Sequence, residues 1–225
     1  MTAFPAEARI TAGQDVRLAR SLGFGAAVTC SLCGFLYLLA LAGNYAVTGS
    51  VSVSSGRPQA LAVIISLVWN QALVVLFAAL RQEVPDQKRI LADLAVIFTA
   101  LMSALSSINW FAQLAVVPKI DPAGNAAILA LLDAHGGGSI LYAMEHLGWG
   151  LFFGIAALCG AFAMQGGRLE AWIRWLLAAA GLLSLIHLGG IAGSDPALSL
   201  LGYPAWGVLL PAATVLLALR LRRRL

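Results

Sequence analysis

The chain has 225 residues, of which 60 % are hydrophobic and 11 % charged, with a formal net charge of +4. A mean hydropathy of +0.88 excludes an ordinary water-soluble domain. The positive balance comes from arginines gathered at the ends of apolar runs, so it points to membrane topology and contact with lipid rather than to nucleic-acid binding.

Six runs are long enough to cross hydrocarbon, which takes about 20 apolar residues at about 1.5 Å per residue. In chain order they fall near 21–48, 59–80, 90–117, 138–164, 171–191 and 197–219. The expected fold is therefore an all-α integral membrane protein, one domain over 1–225, built as a bundle of six transmembrane helices. Arg9, Arg17 and Arg20 precede the first run, and Arg81, Lys88 and Arg89 lie between the second and third. Arg168 and Arg174 flank the fourth and fifth, and Arg220, Arg222, Arg223 and Arg224 close the tail. Only Arg57 and Lys119 fall on the other side. The positive-inside rule then puts both termini in the cytoplasm, in a bacterial inner membrane.

Within the first run, Cys30-Ser31-Leu32-Cys33 has a redox spacing but sits inside an apolar helix, as does Cys159. All three are read as small packing residues rather than as a disulfide framework or a redox pair. The first run also contributes Tyr37 and Asn44, and the second Trp69, Asn70 and Gln71. The third run carries Thr99, Ser103, Ser106, Asn109, Trp110 and Gln113, a stripe about 120° wide at 100° per residue. Such a stripe avoids lipid and faces protein or water. Asp93, near the inner boundary, is expected to sit at the interface or to partner a nearby cation.

Between the third and fourth runs, Asp121 is expected to cap a short helix of about 13 residues, with Pro122 at its first position and Gly136-Gly137-Gly138 ending it. It is too short to span, so an interfacial or re-entrant placement on the outer side is expected. The same segment is a candidate lid.

The fourth run holds the strongest functional lead, Glu145 beside His146. An ionisable side chain at bilayer depth costs about 2.5–3.5 kcal/mol on insertion scales, so it faces a partner, a cavity or a substrate. Tyr142 and Trp149 lie three before and four after Glu145, on neighbouring parts of the same face. Adjacent residues diverge by about 100°, so Glu145 and His146 are expected to serve different neighbours. The fifth run adds Ser184 and His187, and the sixth Tyr203 and Trp206.

Together these residues predict a polar pocket in the outer half. Glu145, His146 and His187 are its candidate catalytic groups. Asn70, Asn109, Trp110, Gln113, Tyr142, Trp149, Tyr203 and Trp206 are its candidate substrate contacts. The leading expectation is an enzyme or binding protein for a lipophilic, lipid- or isoprenoid-like substrate, with Glu145 as acid or base and tryptophan faces able to steady a developing cation. Membrane isoprenoid cyclases, which use an intramembrane carboxyl, offer an analogy for a cyclase or isomerase, although none of their motifs is present.

The alternatives are a transporter or channel for a small solute or protons, and a scaffold or partner subunit using Gly150 and Gly154 for close helix contact. A metal site would draw on Glu145, His146, His187 and His135, but no recognised ligand spacing occurs. Neither a metal nor a cofactor is expected. No internal repeat supports an inverted-repeat transporter.

The segments Ser107-Ile108-Asn109-Trp110-Phe111-Ala112-Gln113-Leu114-Ala115-Val116-Val117 and Tyr142-Ala143-Met144-Glu145-His146-Leu147-Gly148-Trp149 resemble stretches of uncharacterised six-helix bacterial membrane proteins. The resemblance covers the third and fourth runs and implies the fold but no activity.

Overall fold

The computed structural model describes residues 6–48, 56–133 and 137–225, and every regular element among them is helical. Six helices are long and apolar enough to cross a membrane, which suggests a multi-pass membrane protein. The principal helices are α1 (Ala6–Thr48), α2 (Gly56–Arg81) and α3 (Arg89–Ala115). A short α4 (Ala126–Leu131) follows, then α5 (Ile140–His146) continued by α6 (Phe153–Ala163). The chain ends with α7 (Arg168–Gly193), the short α8 (Pro196–Ser199) and α9 (Gly202–Pro204), and α10 (Leu210–Arg222).

The long helices close into a ring in chain order: α1 on α2, α2 on α3, α3 on α6, α6 on α7, α7 on α10 and α10 back on α1. Consecutive spans joined by short connections, such as α2 to α3 and α6 to α7, run antiparallel. Side chains on the inner faces, including Trp69, Phe77, Met102, Trp149, Phe153, Ile173 and Leu210, fill the centre. Bulky apolar groups such as Leu39, Ile64, Ile97, Phe111, Phe162 and Leu182 point outward and are exposed. An apolar outside around a filled inside is the pattern a lipid solvent imposes.

Several boundaries differ from the periodicity reading. Helix α1 starts at Ala6, well before the expected residue 21, because Ala6–Arg20 is rich in Ala and Arg and continues the helix without an apolar stripe. The segment after Lys119 forms only the six-residue α4, not a helix of about 13. Asp121 accepts from Ala123 N at 3.0 Å in a turn of its own, and Gly124 at φ +88° redirects the chain, so the cap passes to Asn125. His135 and Gly136 lie outside the described residues.

The fourth and sixth spans are each interrupted by a π-helical turn, Leu147–Phe152 and Ala205–Leu209. In the second, Pro211 has no N–H to return to Gly207, so the regular ladder fails there. The first contains Gly148 and Gly150, which tolerate the wider turn. Each π turn presents a tryptophan inward, Trp149 and Trp206, with ring centroids 5.6 Å apart.

The Gly150 and Gly154 pair is used within the chain. A Cβ on Gly154 would stand 2.9 Å from Leu185 and 3.2 Å from the Gly181 carbonyl, and one on Gly150 would stand 2.8 Å from Leu188. These glycines set the close approach of α6 and its π turn to α7.

At one end of the bundle, four spans are fastened by charge. Glu83, 4 % exposed in its side chain, pairs with Arg220, itself 5 % exposed, and with Arg20 at 2.8 Å and Arg224 at 3.4 Å. Arg220 and Arg224 also reach Glu170 at 3.2 and 3.3 Å. Burial alone would raise the Glu83 carboxyl, but the Arg20 hydrogen bond and the Arg220 and Arg224 charges overcome it and hold the group below the ordinary glutamate value. Arg81 pairs with Asp93 nearby.

Candidate functional site

The candidate site lies toward the opposite end, where α3, α5 and α7 meet inside the ring. The buried stripe of α3 is Thr99, Ser103, Ser106, Asn109 and Gln113, with Trp110 half-buried at its edge. Ser139 opens α5 by accepting from the backbone N–H groups of Leu141 and Tyr142, a conventional N-cap. That start sets the rotation of α5, and Glu145 then faces α3.

The Glu145 carboxylate accepts from Ser106 Oγ at 2.9 and 3.1 Å, Asn109 Nδ2 at 2.9 Å and Trp110 Nε1 at 3.0 Å. Ser106 in turn accepts from Trp149 Nε1 at 3.2 Å. All these donors are neutral. Among the described residues no Lys or Arg pairs with Glu145. Glu145 as a whole residue is half-buried.

His146 turns about one helical step away and meets α7. Its Nδ1 is 2.8 Å from His187 Nε2, and His187 Nδ1 is 2.5 Å from the Ser199 carbonyl oxygen. This chain has a direction. A carbonyl only accepts, so His187 Nδ1 carries the proton; neutral His187 then accepts at Nε2, and His146 donates from Nδ1. His146 Nε2 is left with a lone pair, and among the described residues nothing donates to it. Gly202 makes room for this arrangement: a Cβ there would lie 2.8 Å from His187 Nδ1 and 2.7 Å from the Trp206 ring.

Aromatic rings surround the two acceptors. Tyr142 meets His146 edge-on with centroids 4.1 Å apart, and Trp206 lies 4.7 Å from His187. Trp149 joins Trp206 to Trp69, and Trp69 joins Tyr37, in steps of 5.6, 5.6 and 6.0 Å. Tyr37 is within electrostatic reach of both Glu145 and Tyr203, and Tyr142 within reach of Tyr203. Trp206 Nε1 donates to Ser184 Oγ at 2.8 Å, which fixes its plane.

Most of the residues marked from the sequence thus converge: Glu145, Asn109, Trp110 and Trp149 on one side, His146, His187, Tyr142 and Trp206 on the other, with exposed Tyr203 beside them. Two do not join this group. Gln113 donates to the Leu132 carbonyl and pins the segment after α4. Asn70 is completely buried, and neither atom of its amide has a partner, as is also true of Trp69 Nε1 and Asn109 Oδ1.

Ser106, Tyr37 and the Ser199 carbonyl were not singled out as site groups. Ser106 was legible as part of the α3 stripe. A backbone carbonyl leaves no trace in residue identity. Among the described residues no three His, Cys, Asp or Glu side chains converge as metal ligands. A hollow near the charged end is bordered by Phe77, Leu80, Arg81, Glu83, Met164 and Arg220, but its charges are already paired with one another or with Asp93.

No protein-family model, curated protein or solved structure matches this chain.

Proposed function

We propose that this is a multi-pass inner-membrane protein, both termini cytoplasmic, that binds or transforms a lipophilic molecule at the Glu145–His146–His187 cluster. The charged end, with Arg20, Arg220 and Arg224, is then cytoplasmic, and the cluster lies in the outer half. The observation carrying this reading is the pairing of an unneutralised carboxylate, on half-buried Glu145, with an unpartnered imidazole nitrogen inside a wall of Trp and Tyr rings. A chain that keeps two such groups at bilayer depth incurs an insertion cost that packing alone does not offset.

In the enzymatic form of this reading, Glu145 and His146 Nε2 address two positions of one substrate, because their helix positions diverge by about 100°. The Glu145 carboxylate takes a proton from one C–H bond and returns it to another carbon of the same substrate, so a double bond shifts and no net proton is consumed, while His146 Nε2 accepts a hydrogen bond from the substrate. Three fixed donors hold the Glu145 carboxylate in place, and the Ser199 carbonyl holds the histidine pair in a single tautomer.

The same geometry favours this over proton conduction. A relay through His146 and His187 would end on a backbone carbonyl, which cannot accept a proton and pass it on. The scaffold alternative loses its motif, because Gly150 and Gly154 are occupied by α7 of the same chain.

The test is Glu145→Gln in full-length protein purified into lipid nanodiscs. Mass spectrometry of extracted lipophiles should find a molecule enriched with the wild type and lost from the variant. Identical profiles from two equally folded proteins would remove Glu145 from the site.

A further inference from the structure

Glu145 and His146 each leave an acceptor open. Glu145 offers its remaining lone pairs, beyond those taken by Ser106, Asn109 and Trp110. His146 offers Nε2, the nitrogen left free once the Ser199 carbonyl has fixed both tautomers. The N–H donors nearest the two acceptors are engaged: Trp110 and Asn109 on Glu145, Trp149 on Ser106, Trp206 on Ser184.

The walls have the matching electrostatics. Trp149, Trp206 and Tyr142 place aromatic rings beside the cluster, and ring faces are electron-rich. No guanidinium or ammonium among the described residues comes to the carboxylate. Negative charge, a free lone pair and aromatic faces in one place are complementary to a cation with an apolar body. A neutral lipid or a fatty acid would leave the carboxylate uncompensated, and the acid would add a second negative charge beside it.

We infer that the cluster selects a lipophilic ammonium bearing at least one N–H, with Glu145 compensating its charge, His146 Nε2 accepting its proton-bearing edge and the Trp149–Trp206 pair covering its alkyl groups. This rests on the reading of the cluster as a ligand site and names the class of ligand it takes.

The inference is tested by tryptophan-fluorescence titration of full-length protein in phosphatidylcholine nanodiscs. The probes are N,N-dimethyldodecylamine at neutral pH, its quaternary analogue dodecyltrimethylammonium, and 1-dodecanol. The tertiary ammonium should bind about tenfold or more tightly than dodecanol, with the quaternary ion between them because it lacks the N–H. Glu145→Gln should bring the amine down to the level of the alcohol while leaving dodecanol unchanged. If that variant does not fold, Glu145→Asp, which keeps the charge but shortens its reach, should weaken amine binding and spare dodecanol. Dodecanol binding as well as the amine, or an amine affinity indifferent to residue 145, would overturn the selectivity for a cation and leave the lipophile site standing. Failure of folded wild-type protein to bind any of the three would overturn both.

Discussion

Two glutamates at opposite ends of this bundle have opposite surroundings. Glu83 is enclosed by Arg20, Arg220 and Arg224. Glu145 is enclosed by a hydroxyl, an amide and an indole, with no cation among the described residues. The first carboxylate, just past the end of α2, ties that end to α1 and to the end of α10, and through Arg220 and Glu170 brings in α7. The second ties α5 to α3 through neutral donors alone. A charge that has been neutralised by the fold serves the fold; one held only by dipoles remains available to a ligand.

The same substitution at both positions gives the sharpest contrast. Glu83→Gln leaves Arg220 buried beside too little negative charge and should cost about 3–5 kcal/mol, read as a large drop in unfolding midpoint in detergent or nanodiscs. Glu145→Gln removes no counter-ion from anything and should cost only about 1–2 kcal/mol, while abolishing ligand enrichment. Equal losses of stability would mean that Glu145 is as structural as Glu83.

Next in size is the helix contact that sets the span carrying Glu145. Gly154→Val places a side chain against Leu185 and the Gly181 carbonyl and should cost about 1–3 kcal/mol. The loss would be seen in thermal unfolding, with weakened ligand binding if α5 is carried away from α7.

Acid should affect the two ends differently. Because the folded-state Glu83 carboxyl is held below its ordinary value, its contribution is complete above the unfolded value, about 4.3. It is lost as pH falls from there through the lower folded value. Unfolding midpoints measured from pH 7 to pH 3 should therefore fall in wild type and fall less in Glu83→Gln.

The smallest effect is expected at Asn70. Its amide is fully buried without partners, so Asn70→Leu should be neutral or slightly stabilising, within about 1 kcal/mol. A clear destabilisation would show that the amide holds a hydrogen bond that the fold depends on.

The six spans were legible because hydropathy is a local sum and hydrocarbon thickness sets its length. The α3 stripe was legible because 100° per residue is a local rule. What happened to the members of that stripe was not. Asn109 and Gln113 are one turn apart with the same kind of amide, yet one serves Glu145 and the other the Leu132 carbonyl, since the α4 segment folds back over that turn. The two π turns were missed for a related reason: helix periodicity carries no signal for one extra residue in a turn.

By itself, then, the sequence determined the class of the protein, its six apolar helices and the presence of ionisable residues in the fourth and fifth. The tertiary structure alone decided that Glu145 meets neutral donors, and that Ser199 orients two histidines. It also brought Arg20, Glu83, Glu170, Arg220 and Arg224 into one cluster from distant parts of the chain. Apolar burial is non-directional and tolerates small shifts of register. A hydrogen bond requires about 3 Å and an aligned donor, and only the packed ring of helices sets positions that closely.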